Sequence, residues 1–380
     1  MNIVAVIDSF KGSLTSMEAG TAVSEGIAKA LPDSIVSVFP VADGGEGTVD
    51  ALTDGGRGEK VCVTVTGPLS DPVEAEYGVL AESGCAVIEM AQAAGLPLVP
   101  EDKRDPMYTT TYGVGELILH ALDRGCRRFI MGIGGSATND GGAGMLSALG
   151  FEFLDCEGKP VPDGCAGLGK LSRVCADRAD VRLRECTFRV ACDVTNPLLG
   201  DNGCSAVFAP QKGASAEDIP VMDAYLKGYA ELTQRDVNEG ADACFPGAGA
   251  AGGLGFALKY YLNATLERGC PMIMRETGVE DSIAEADLVI TGEGRLDAQS
   301  VMGKVPQSVA EIAKKHGVPV IALGGGIGDG AEGLNECGVD AYFPILHAPC
   351  TLADAMDKGT AINNLKRTSE QISRLISAMK

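Results

Sequence analysis

Residues 1–48 read MNIVAVIDSFKGSLTSMEAGTAVSEGIAKALPDSIVSVFPVADGGEGT. Residues 3–7 form a compact apolar run that stops at Asp8, and residues 35–41 form a second that stops just before Asp43 and a glycine pair. Between them, Thr15 and Glu18 have the spacing of a capping box. Val23, Ile27 and Leu31 then recur at helical spacing. Apolar strand, amphipathic helix, apolar strand predicts the opening of a parallel sheet in an α/β protein.

The same grammar returns near the other end. Residues 286–291 (ADLVIT) read as a buried strand running into Gly292, Glu293 and Gly294. A helix carrying Val305, Val309, Ile312 and Ala313 follows, and Gly317 stops it. Residues 318–323 and 341–346 read as further strands, and a long amphipathic helix carrying Ile362, Leu365, Ile372, Leu375 and Ile376 closes the chain. The middle is different. Residues 60–77 alternate around Gly67 and Pro68, which predicts antiparallel strands. A helix after Thr110 and Thr111 carries Val114, Leu117, Ile118, Ala121 and Leu122, and strands at 129–133 and 188–192 run into Gly134 and Asp193. The expected architecture is a parallel-sheet domain, residues 1–60 plus 280–380, interrupted by an inserted mixed α/β domain, residues 61–279. The active site is expected in the cleft that such an insertion leaves.

Composition narrows the function classes. A chain of 380 residues favours two domains. The net charge is −21 with no dense Lys/Arg run, which argues against nucleic acid and anionic membranes as partners. A site for an anionic substrate must then build its own positive field. The 13 cysteines are odd in number and include no CxxC pair, so reduced thiols in a cytoplasmic protein are expected. The first residues turn polar too soon for a signal peptide, and no run of 18 apolar residues predicts a membrane span.

Five motifs sit at strand ends, where ligands bind in open α/β sheets. In DSFKGS (8–13), Lys11 and Ser13 stand before a helix N-terminus, where backbone N–H groups attract anions; a solvated turn lysine is the alternative. In DGGEGT (43–48), Asp43 is suited to a cation or a substrate hydroxyl, or to a helix cap. In GIGGSATNDGGAG (132–144), Gly134, Gly135, Ser136, Thr138, Asn139 and Asp140 have the makings of a backbone cradle for phosphate or carboxylate; a tight strand-to-helix turn is the alternative. In CDVTNPL (192–198), Asp193 is a candidate base and Asn196 a candidate ligand contact; an Asx-turn into Pro197 is the alternative. In TGEGRLD (291–297), Glu293 and Asp297 are candidate magnesium ligands and Arg295 a carboxylate or phosphate partner, with Lys304 close behind; a surface ion-pair cluster is the alternative. No GxxxxGK[ST] occurs, so there is no P-loop, and no GxSxG supports a serine hydrolase. GAGAAG at 247–252 matches GxGxxG without a preceding strand, and reads as a flexible loop before a helix from Leu254.

On these residues the chain resembles the bacterial glycerate kinases of the glycerate 2-kinase type. The resemblance is carried by DSFKGS, ADGGEGT, GIGGSATNDGG, CDVTNPL, GAGAAGGLGFAL and TGEGRLD, in the same order and over essentially the whole chain. It implies a Rossmann-like domain with an inserted α/β domain, ATP and Mg²⁺ as cofactors, D-glycerate as acceptor and 2-phosphoglycerate as product. From the chemistry, Lys11 is expected to neutralise the transferring phosphate and Asp193 to orient or deprotonate the attacking hydroxyl. A homodimer is an open alternative for the assembly. Two other classes remain: a kinase for a different hydroxy-acid or sugar, and a non-catalytic glycerate or nucleotide sensor.

Overall fold

The computed structural model describes residues 1–379 and divides into two compact units. The first takes residues 1–43, 50–54 and 270 onward; the second takes 44–49 and 55–269.

The first unit holds a five-stranded sheet in the order Ala341–Pro344, Val320–Ile327, Leu288–Leu296, Asn2–Ile7, Ile35–Pro40, with every pair parallel. Asn2–Ile7 is buried over all but its first residue, as a strand covered on both faces must be. The helix Ser16–Ala30 starts at the expected capping box: the Thr15 side chain accepts from the Glu18 N–H, and the Glu18 side chain accepts from the Thr15 N–H. Its Ala19, Val23 and Ile27 pack with Ile3, Ala5 and Ile7 of the strand and with Leu365 and Ile372 of the closing helix Lys358–Met379. Ser16 ties two strand ends together, donating to the Ile7 carbonyl and accepting from the Val41 N–H. Counted within the unit, the strand order is 2-1-3-4-5, so the order reverses between Asn2–Ile7 and Leu288–Leu296.

The second unit holds a six-stranded mixed sheet in the order Thr265–Glu267, Thr187–Ala191, Arg128–Gly132, Ala86–Glu89, Pro72–Leu80, Gly58–Thr66. The first four strands run parallel and the last two antiparallel. The alternation at 60–77 is therefore a hairpin, with Val63 opposite Ala75. The helix Tyr112–Asp123 buries Val114, Leu117, Ile118, Ala121 and Leu122 in the unit's core, where Phe129 and Phe188 of neighbouring strands stack at 4.7 Å. Residues 247–253 precede the regular helix that runs from Leu254 to Tyr261, as expected; they form a buried turn rather than a loose loop, with Ala251, Gly252 and Gly253 at positive φ. Among the described residues, no helix is long and apolar enough to cross a membrane.

Candidate active site

In the first unit, the point of strand-order reversal is where a ligand crevice opens in folds of this kind. Ile7 lies opposite Gly292 in the ladder, and the Asp8 N–H donates to the Gly292 carbonyl at 2.9 Å. Asp8 and Glu293 thus leave adjacent strands together. Burial pushes the Asp8 carboxyl up to about 7; the negative charges of Asp43 and Glu293 add to the shift, while the Ser9 N–H and Lys304 oppose it. Glu293 is 5% exposed. It accepts from Ser300 Oγ and from Lys304 Nζ, the latter at 3.3 Å, and burial raises its pKa against those two partners. This edge carries three carboxylates with Lys304 set against them.

Around this acidic edge, other expected residues take different positions. Lys11 is exposed on a tight turn closed by the Phe10 and Leu14 backbones, with Gly12 at φ 74°. Ser13 Oγ is buried without a partner. Asp297 caps the short helix Ala298–Val301, accepting from the Gln299 N–H, and pairs with Arg295 at 3.2 Å. The Arg295 side chain is 71% exposed, so that pair is weak. Among the described residues, no group of three or more His, Cys, Asp or Glu side chains is already gathered at metal-binding geometry.

In the second unit, three of the sequence motifs converge on the carboxyl ends of parallel strands. Gly132 ends its strand so close to the 44–49 segment that a Cβ there would lie 2.4 Å from the Gly44 carbonyl oxygen. A Cβ on Gly44 would lie 2.2 Å from that of Ala191, the residue that leads into Cys192 and Asp193. Only glycines permit this backbone-on-backbone contact. The buried Glu89, at the end of its own strand, accepts from the Val49 N–H at 2.7 Å and so ties the segment down.

The 134–140 loop has two sides. Gly134 and Gly135 are exposed and Ser136 is 7% exposed. Thr138, Asn139 and Asp140 are turned inward. Asp140 accepts four bonds: from the Thr111 N–H, the Thr111 hydroxyl, the Gly142 N–H and the Gly144 N–H, at 2.8 to 3.2 Å. Burial raises its pKa and those donors pull against the rise. Asn139 Nδ2 donates to Ser205 Oγ at 2.9 Å. Asn139 and Asp140 therefore brace the loop, the Thr138 hydroxyl and Asn139 Oδ1 are buried without a partner, and of this stretch only Gly134 and Gly135 are exposed, with Ser136 buried beside them. Asp193 is exposed and accepts from the Gly269 N–H at 3.1 Å. Asn196 Nδ2 donates to the Asn202 carbonyl, also a bracing contact.

The 247–253 glycines buttress the same loop. The Gly141 N–H donates to the Gly252 carbonyl at 2.9 Å. Gly252 has φ +68°, and a Cβ there would fall 2.0 Å from the Thr138 carbonyl oxygen. Gly252→Ala is expected to cost about 2 to 4 kcal/mol, combining left-handed strain with the clash. Thermal melts read this directly, and a variant melting with wild type would show that the contact relaxes freely.

The model of the glycerate kinase family matches residues 3–377. The chain belongs to the glycerate kinase family. It is 45% identical to a glycerate kinase of Halalkalibacterium halodurans over 95% of this chain and 94% of that one. It is also 45% identical to the glycerate 2-kinase of Escherichia coli K12, over 99% and 98%. A crystal structure from Salmonella typhimurium LT2, assigned as glycerate kinase 2, superposes with a TM-score of 0.90 at 45% identity, covering 100% of this chain and 98% of that one. The glycerate kinase family is one of enzymes that transfer phosphate.

Sequence reasoning passed over three residues of this glycerate kinase family member. Asp8 stands in DSFKGS, which drew attention for its lysine; its place directly after the first buried strand was the available signal. Glu89 ends the apolar run AVIE, a signal of the same kind. Lys212 carried no signal, because a lone lysine in a polar stretch reads as solvated.

Proposed function

We propose that the chain phosphorylates D-glycerate with Mg-ATP to give 2-phosphoglycerate. The observation that carries this reading is the end-to-end match to glycerate kinases, one of them a glycerate 2-kinase. In the reaction, the 2-hydroxyl oxygen attacks the γ-phosphorus, the bond to ADP breaks, and the hydroxyl proton passes to a base. Asp193 is the proposed base or orienting group, since kinases use an acidic side chain there. Lys11, exposed on its turn, supplies positive charge to the transferring group. Arg295 exchanges its weak pair with Asp297 for a ligand anion. The exposed Gly134 and Gly135, with Ser136 beside them, take a carboxylate or phosphate, and the unpartnered Ser13 hydroxyl is a further donor.

The acidic edge fits magnesium. Burial, with Asp43 and Glu293 adding to it, raises the Asp8 pKa to about 7, a strain that a cation relieves. Mg²⁺ needs only one or two carboxylates beside phosphate oxygens and water, so no ready-made cage is required. Asp8 and Glu293, with Asp43, would hold it; Asp297 is engaged in its cap. The ion would neutralise developing charge on the phosphates. The free thiols of all 13 cysteines support a cytoplasmic setting.

A coupled ADP-release assay with Mg-ATP and D-glycerate, followed by ³¹P NMR of the product, tests the reading. Glycerate-dependent turnover to 2-phosphoglycerate is expected. Turnover only with another hydroxy-acid, or none from folded protein, rejects it.

A further inference from the structure

Lys212 ends the short helical turn Pro210–Lys212 and is 2% exposed. Its ammonium donates to Ser136 Oγ at 2.6 Å and to the Thr138 carbonyl at 2.7 Å. Among the described residues, no carboxylate forms an ion pair with it. An ammonium buried on neutral acceptors alone is costly, and such groups concentrate where their charge is used. Burial draws its pKa down to about 8, and the groups that face it, Cys204 and Asp140, act in the opposite direction.

The direction of the Ser136 bond matters most. Lysine donates only, so it occupies a lone pair of the serine oxygen and the serine proton must point elsewhere. Among the described residues, no acceptor takes that proton. Ser136 follows the exposed Gly134 and Gly135 at the carboxyl end of the strand Arg128–Gly132. A hydroxyl that accepts from an ammonium is also a stronger donor, because hydrogen bonds in a chain polarise one another.

We infer that Lys212 is a positioning residue: it holds the Ser136 hydroxyl, beside the exposed Gly134 and Gly135, as a hydrogen-bond donor and sets the charge of a seat for one anionic oxygen group, a carboxylate or a phosphate. In a chain of net charge −21 such a seat needs a fixed positive source. This rests on the glycerate kinase reading, in which the acid supplies the carboxylate and ATP the phosphates.

The test measures kcat and both KM values, together with calorimetric binding of D-glycerate and of ATP, for wild type, Lys212→Met, Ser136→Ala and the double variant. Each single variant is expected to weaken one ligand by about tenfold, the usual scale for a lost charge-assisted bond. The other ligand should be unaffected, and the double variant should be no worse than either single. A loss confined to glycerate identifies the carboxylate; a loss confined to ATP identifies a phosphate. Independent, additive losses, or unchanged affinity for both ligands, overturn the inference. Should Lys212→Met not fold, Ser136→Ala decides alone: wild-type affinity for both ligands overturns it. Failure of wild type to turn over glycerate rejects the functional reading separately, and a loss of ATP binding in Lys212→Met would still support the seat.

Discussion

Asp8→Asn is expected to melt at a higher temperature than wild type above neutral pH while transferring phosphate about a thousandfold more slowly, a loss in the range that removal of a charged phosphoryl-transfer group produces. The two effects share one cause. An acid whose folded pKa is about 7, against an ordinary 3.8, binds its proton more tightly in the folded state. Folding stability is then lost as pH rises from near 4 through 7, and the cost is complete above 7. Asparagine carries no charge and removes that cost. A shift of this size corresponds to about 4 kcal/mol, and solvent access to the half-buried carboxyl brings the expected gain to about 2 kcal/mol. Melts in metal-free buffer at pH 8 and pH 4 test this: the gain should be present at pH 8 and nearly gone at pH 4. Equal gains at both values, or a loss at pH 8, would mean that burial and the charges of Asp43 and Glu293 do not hold the Asp8 proton in the folded state. Loss of turnover with gain of stability is the trade expected of a group held for chemistry rather than for the fold.

Asp140→Ala is expected to have the largest effect on folding. It leaves the Thr111 N–H and hydroxyl and the Gly142 and Gly144 N–H groups without their acceptor in a fully buried place. Orphaned buried donors cost about 1 to 3 kcal/mol each, partly offset by relaxation and water entry, so about 4 kcal/mol or more is expected. Asp140→Asn should cost less. Its carbonyl can replace Oδ2, which receives three of the four bonds, while its amide would face the Gly142 N–H. Chemical denaturation of both variants checks the ranking. Asparagine as harmful as alanine would point to the charge itself, rather than acceptor count, as what Asp140 supplies.

These two aspartates mark what is readable from sequence and what is not. Both lie in motifs that stood out for glycines and polar residues after a strand. Asp140 was expected to touch ligand, and the fold turns it inward to tie the Thr111 turn to the helix Ala143–Ala148. Asp8 drew no role beside Lys11, and the fold makes it the most strained carboxylate of its edge. Composition and spacing give the two the same standing, because neither reports which way a side chain points. Asp297 was expected as a magnesium ligand, and the fold makes it a helix cap that accepts from the Gln299 N–H.

What the sequence determined by itself was the class of the fold and the location of its punctuation. Apolar runs of strand length, helices with a 3.6-residue period, and Gly or Asp at their junctions are local signals set by backbone sterics and burial within a few residues. They suffice to read parallel strands at both ends of the chain and a differently patterned middle. Only the tertiary structure decided which motifs keep company. The contact of Gly44 with Gly132 and Ala191, the reversal of strand order beside Asp8, and the bond from Lys212 to Ser136, 76 positions away, join residues that no local period relates. Desolvation and charge crowding depend on those through-space neighbours, and so the chemistry of Asp8, Asp140 and Lys212 is a property of the fold rather than of any stretch of chain.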